Sequence, residues 1–158
     1  MDLVIVCFID NPPSSIFQSS QWPMHMTLIP PFSYDGSINE LNELLSNFSK
    51  EFIQFSVTAS ERALFGPNKD IPVTIIKQNE VLQGCYIKLL NLIEKLGIKY
   101  KYPSISGQNY HFHITDKRGI KVPTNSDILL TGFSLVDRQV KGQPGIKQVI
   151  KTLKFVEK

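Results

Sequence analysis

Apolar and polar positions repeat along this chain with two different periods, and the changes of period outline its elements. Leu3 to Ile9 is apolar and β-branched almost throughout, which predicts a strand buried on both faces. Asn11, Pro12 and Pro13 are expected to stop it. Ser14 to Pro23 is polar with Ile16, Phe17 and Trp22 interleaved, which reads as a long loop able to border a site. Met24 to Ile29 predicts a short strand, ended by Pro30 and Pro31. From Ser37, an N-cap with Glu40 three residues on, the apolar positions Ile38, Leu41, Leu44, Leu45 and Phe48 take helical spacing.

Alternation returns between Phe52 and Phe65 and again from Pro72 to Lys77, with Gly66 and Pro67 at the turn of the implied hairpin. Val81, Leu82, Cys85, Leu89, Leu92, Ile93 and Leu96 then mark a second helix over Glu80 to Leu96, closed by Gly97. Tyr100 to Asn109 is rich in Pro, Ser and Gly and predicts a loop. Strands are expected at Tyr110 to Thr115, Ile128 to Val136 and Val149 to Val156. Two helices spread among many short strands predict an α+β fold of two lobes with antiparallel sheets.

Length and composition narrow this further. The 158 residues fit one domain, 1–158, made of two coupled lobes. With 42% apolar and 20% charged residues, the chain can bury a sizeable core, which excludes disorder and fibrous repeats. Leu3 to Ile9 is too short to span a bilayer, and Asp2 stands where a signal peptide carries positive charge, so a cytoplasmic protein without membrane association is expected. Cys7 and Cys85 each lie in an apolar stretch and predict reduced, buried thiols. Charge is uneven: residues 1–79 carry four basic and eight acidic side chains, residues 80–158 thirteen and six. An anionic ligand met mainly by the second half would explain that.

Candidate chemistry sits in the three histidines. Two head matching tripeptides, His25-Met26-Thr27 and His113-Ile114-Thr115, while His111 precedes the second by two positions. In a strand, residues i and i+2 share a face, so each tripeptide aims an imidazole and a hydroxyl at one target. Seven threonines in the chain make two such coincidences a roughly one-in-two-hundred event by chance. Imidazole titrates near neutrality, so one copy can accept a proton while the other donates one. The adjacent hydroxyls suit the two nonbridging oxygens of a phosphoryl group. That reading needs no metal and no cofactor. Two alternatives stand beside it: a zinc hydrolase or lyase held by His25, His111 and His113, and an RNA- or nucleotide-binding module without turnover.

The paired motifs resemble those of the two-histidine (2H) phosphoesterase superfamily, whose best-known branch is the 2′-5′ RNA ligase-like proteins. His25-Met26-Thr27-Leu28-Ile29-Pro30-Pro31-Phe32 is similar to the first family motif. Leu64-Phe65-Gly66-Pro67 with Asp70-Ile71-Pro72-Val73 resembles the segment that often lies between the motifs. The second motif departs from the family pattern at Phe112 and Asp116, which leaves His111 as an alternative to His113. The resemblance implies a pseudo-symmetric bilobal fold with two antiparallel sheets, helices outside and a central groove. It also implies a nucleotide or oligonucleotide phosphodiester as substrate: a 2′-5′ linkage, a 2′,3′-cyclic phosphate or a cyclic oligonucleotide signal, the last placing the protein in counter-immunity. His25 and His113 would be catalytic, and Thr27 and Thr115 phosphate-binding. Trp22, Tyr102, Tyr110, His111 and Lys117 are the expected substrate contacts, with Lys101 and Arg118 beside them.

Overall fold

The computed structural model describes residues 1–10 and 15–157, so the expected stop at Asn11, Pro12 and Pro13 and the start of the loop at Ser14 lie outside the described residues. The first strand, β1 (Asp2–Phe8), forms where the apolar run predicts it. The segment expected to be a loop contains a short edge strand, β2 (Ile16–Gln18), followed by a 3₁₀ turn at Ser19–Gln21. Only Phe17 of β2 is buried, too few apolar positions to show as alternation.

The next strand, β3 (His25–Ser33), does not end at Pro30 and Pro31 but runs through them. Its pairing with β1 shifts register between Leu3 and Ile5, the stretch facing the two prolines, so their missing N–H groups interrupt no regular ladder. Helix α1 (Ile38–Ser49) starts as its sequence predicts, with the Ser37 hydroxyl accepting from the Glu40 amide at 3.3 Å. After it come β4 (Phe55–Phe65), β5 (Ile71–Ile76) and α2 (Glu80–Glu94), whose N-cap is Asn79. Gly66 opens the β4–β5 turn at φ +95°, a conformation that favours glycine.

The remaining chain is more irregular than the sequence suggests. β6 (Lys99–Tyr100) and two 3₁₀ turns occupy the expected loop, and β7 is only His113–Thr115. Tyr110 and Phe112 leave the strand because both rings pack on Tyr86 of α2, at 5.9 and 5.1 Å between centroids. The expected strand over Ile128 to Val136 is two: β8 (Asp127–Leu130), paired with β4, and β9 (Gly132–Asp137), paired with β1 and with β10 (Ile146–Lys154). The chain changes partners at Thr131. Gly132 permits this, since a Cβ there would stand 2.1 Å from the Leu153 carbonyl oxygen.

Strand order is β2-β10-β9-β1-β3-β7-β5-β4-β8, antiparallel throughout, with β6 added beside β3. The path divides into two half-sheets that meet at one residue pair, Met26 opposite Ile114. Behind, a bridge from Ile53 to Val156 ties the start of β4 to the end of β10. Leu3, Ile5, Cys7, Met26, Leu28 and Ile114 face one continuous buried cluster with Leu41, Leu45 and Phe48 of α1 and Leu82, Leu89 and Ile93 of α2. Each such side chain contributes about 1.5 to 3 kcal/mol on full burial. Val4, Val6, Phe17 and Val136 form a smaller cluster on the other face. The helices therefore cover one face, and alternation sends the histidines to the other.

Candidate functional site

The site follows from the register of the two half-sheets. Antiparallel pairing of Met26 with Ile114 sets His25 across from Thr115 and Thr27 across from His113. Met26 and Ile114 are buried beneath, so the four polar side chains share the open face in a crossed arrangement, His–Thr against Thr–His.

Each histidine is braced in the same way. His25 Nδ1 lies 2.8 Å from the Pro23 carbonyl oxygen, and His113 Nδ1 lies 2.7 Å from that of His111. A carbonyl only accepts, so Nδ1 carries the proton in both rings and Nε2 is the nitrogen free to exchange one. Each ring also has one close aromatic neighbour: Trp22 on His25 and Phe65 on His113, both at 4.7 Å between centroids. Burial depresses the pKa of both imidazoles. His25 falls to about 4, chiefly through desolvation, with Lys117 and His113 adding repulsion against the Pro23 contact. His113 is lowered by desolvation and by His111.

The expected substrate contacts divide into three groups. Trp22 is half-buried between Phe17, at 4.9 Å, and His25, so it supports the first motif from behind. Tyr110 donates its hydroxyl to the Thr27 carbonyl at 2.6 Å and thereby ties the two motifs together. Tyr102, His111 and Tyr110 line a groove of about 910 Å³ that ends on His113 and Thr115. Its other walls include Leu64, Phe65 and Ile71 of the β4–β5 hairpin, and Ile105. Tyr102, Leu64, Ile71 and Ile105 are exposed there, leaving apolar surface of the kind a flat ring covers. His25 and Thr27 are not among its walls. Lys117 lies in the turn after β7, Arg118 donates to the Trp22 carbonyl at 3.1 Å, and Lys101 pairs with Asp2 at 3.2 Å, away from the groove.

Sequence reasoning missed the carbonyl braces, the groove walls Leu64 and Ile105, and Arg62. Arg62 holds Asp116 through two bonds of 2.6 Å and also donates to Thr74. That pair accounts for an acidic residue directly after Thr115. The charge of Asp116 was the available signal. Among the described residues, no three His, Cys, Asp or Glu side chains gather as metal ligands, the trio His25, His111 and His113 included. No helix of the described residues is long and apolar enough to cross a membrane, and Cys7 and Cys85 are free and buried.

Comparison with known proteins places this fold. Solved structures that share the fold include TT0787 of Thermus thermophilus, 15% identical with a TM-score of 0.59 over 100% of both chains; a phosphoesterase, 14% identical with a TM-score of 0.65 over 98% of both; and E. coli LigT complexed with 3′-AMP, 15% identical with a TM-score of 0.61 over 98% of this chain and 97% of that one. No curated protein matches the sequence. The family described as the 2′-5′ RNA ligase superfamily matches residues 14–130, well over half of the chain. By that match, the chain belongs to the 2′-5′ RNA ligase superfamily.

Proposed function

We propose that this protein is a phosphodiesterase that cleaves a nucleotide phosphodiester with His25 and His113 as a proton-transfer pair. The observation that supports the reading is the pairing of Met26 with Ile114, on either side of which each strand carries one imidazole and one hydroxyl. One imidazole Nε2 takes the proton of an attacking water or ribose hydroxyl as the new P–O bond forms. The other gives its proton to the departing oxygen as the old bond breaks. Thr27 and Thr115 donate to the nonbridging oxygens as charge develops there. No step needs a metal.

The groove beside His113 suits one nucleoside, its base lying on Tyr102 and Ile105. E. coli LigT was solved with 3′-AMP bound, which supports a nucleotide as ligand here. A 2′-5′ linkage, a 2′,3′-cyclic phosphate and a cyclic oligonucleotide all present the required diester. Both half-sheets share one buried cluster, in keeping with a single domain.

The test is a panel of linear 2′-5′ and 3′-5′ dinucleotides, 2′,3′-cyclic nucleotides and macrocyclic oligonucleotides, incubated in excess EDTA with the product phosphate position identified. Turnover of at least one class is expected. Binding without cleavage across the panel would favour the binding module. Activity that EDTA abolishes and zinc restores would favour the metal enzyme.

A further inference from the structure

The edge of β3 that faces the second half is paired at its two ends. Near the first motif, Met26 meets Ile114 of β7; at the far end, Phe32 and Ser33 meet Tyr100 and Lys99 of β6, and the Lys101 amide donates to the Pro31 carbonyl at 2.9 Å. Between β6 and β7 the chain turns away through two 3₁₀ turns, at Pro103–Ile105 and Gly107–Asn109, and lines the groove. The groove therefore opens where a strand would have continued the ladder. Backbone groups left along such a gap need other partners. The Thr27 carbonyl finds one in a side chain, the Tyr110 hydroxyl at 2.6 Å.

That tyrosine is itself held from the second half. Its amide donates to the Gly107 carbonyl at 3.4 Å, and the same carbonyl accepts from the hydroxyl of Tyr86, a buried residue of α2, at 2.6 Å. The Tyr110 ring packs 5.9 Å from Tyr86 and 5.1 Å from Phe112 between centroids, and stands 6.0 Å from the His113 ring. Burial pushes the phenol pKa well up, so the hydroxyl keeps its proton and stays a donor. The ring is also a wall of the groove. One side chain thus meets the groove, the second histidine and the backbone of the first motif.

We propose that Tyr110 is a positioning residue that couples the groove to the first motif: its hydroxyl replaces the missing strand bond at Thr27 and so holds Thr27 in place against His113 and Thr115. The proposal rests on the phosphodiester reading above. Only the Met26–Ile114 pair joins the two histidine strands directly, so a second link beside it limits how far one motif can slide past the other. A nucleoside in the groove packs on the ring whose hydroxyl fixes Thr27. Occupancy on the second side thereby steadies the phosphoryl contact on the first. Tyr110 acts through Thr27 and takes no proton in the reaction.

The experiment compares wild type, Tyr110→Phe, Thr27→Val and the double variant by steady-state kinetics on the best dinucleotide, and by NMR hydrogen exchange of the backbone amides. Tyr110→Phe keeps the ring and loses only the hydroxyl. It is expected to lower kcat about tenfold, the scale of one lost hydrogen bond, while KM stays within about twofold. In the Thr27→Val background the same change should add less than about twofold, because the group it positions is already gone. Exchange at Met26 and Ile114 should quicken about tenfold, with Val4 and Val136 of the β1–β9 pair unchanged. A raised KM with unchanged kcat would make Tyr110 a substrate contact and overturn the coupling. So would a full tenfold loss in the Thr27→Val background, or exchange at Met26 and Ile114 that either stays at the wild-type rate or rises equally at Val4 and Val136. Quickened exchange confined to Met26 and Ile114, in a protein whose wild type cleaves no diester, leaves the link between the motifs standing and overturns the proposed function instead.

Discussion

The two histidine strands carry the same tripeptide and the same carbonyl brace, but they stand in different surroundings. The first belongs to a nine-residue strand in the middle of the sheet, with Trp22 packed on the ring and Phe17 and Phe8 behind. The second lies on a three-residue strand reached through turns, and a groove opens beside it. Under the proposed function, proton transfer in both directions uses two comparable groups, which accounts for the duplication. Recognition of a nucleoside needs one walled side only. The duplicated part of the site and the unique part can therefore be tested separately.

The largest expected effect falls on what the halves share. Replacing His25 or His113 with Ala should each lower kcat by roughly 10² to 10⁴-fold, read by steady-state kinetics on the best diester. A loss under tenfold at either position would break the equivalence and remove that histidine from proton transfer. His111→Ala should keep kcat within about tenfold and, because its ring lines the groove, show its loss mainly in KM. If His111→Ala were the inactive variant instead, the second motif would be misassigned.

Acid should then separate the two histidines in stability. His25 remains uncharged in the fold down to about 4, whereas a free histidine takes its proton near 6.5. Between those values the unfolded chain binds a proton that the folded chain refuses. Stability is thus fully present above about 6.5 and falls as pH drops toward 4, by about 3 kcal/mol for this residue. His113 is lowered in the same direction. Urea unfolding at pH 7.5 and 4.5 should show His25→Gln removing most of the wild-type acid loss and His113→Gln removing less. An identical acid loss in His25→Gln and wild type would refute the burial argument.

Much of this was legible in sequence, and the reasons differ by element. Ser37 with Glu40 and the apolar stripe of α1 are local, so pattern finds them. The paired tripeptides are also local, and their duplication is what made them stand out. Pro30 and Pro31 misled because a bulge in the pairing of β1 with β3, invisible in β3 alone, accommodates them. The stretch from Ile128 to Val136 read as one strand because each half alternates. Only the approach of Leu153 to Gly132 reveals the change of partner. The groove walls Leu64 and Ile105 are far apart in sequence and look like ordinary apolar residues until the fold sets them beside His113.

The aromatic residues sharpen the comparison at a smaller scale. Tyr102 is exposed in the groove, so Tyr102→Ala should raise KM while leaving the melting temperature nearly unchanged, the loss of one stacked base being worth about 1 to 3 kcal/mol. Trp22 is packed between Phe17 and His25. Trp22→Ala should cost about 2 kcal/mol of stability, below the roughly 3 to 5 typical of a fully buried ring. Reversed outcomes, with Trp22 governing KM and Tyr102 governing stability, would move the nucleoside to the first motif.

The smallest effect is expected where the second half compensates for its short strand. β7 has three residues, with Thr115 paired to Val73 of β5 but only Ile114 paired across to β3. Asp116, the next residue, is fastened by a two-bond contact with Arg62 of β4, and Arg62 continues to Thr74 of β5, which donates to the Val122 carbonyl at 3.2 Å. The Arg62 guanidinium holds the Asp116 carboxyl below its usual range, so the contact persists until strongly acid pH. Both partners retain access to water, with side-chain exposures of 34% and 15%, and screening keeps such pairs weak. Asp116→Asn should thus leave folding intact and lower kcat/KM only about two- to fivefold, through a less fixed Thr115. In the first half the residue after Thr27 is the buried Leu28, on a nine-residue strand that pairs along most of β1. Kinetics of Asp116→Asn alone and combined with Thr115→Val provide the check: if Asp116 acts through Thr115, the second change hides the first. A fall beyond a hundredfold for Asp116→Asn, independent of Thr115, would instead put the carboxylate in contact with the reacting atoms.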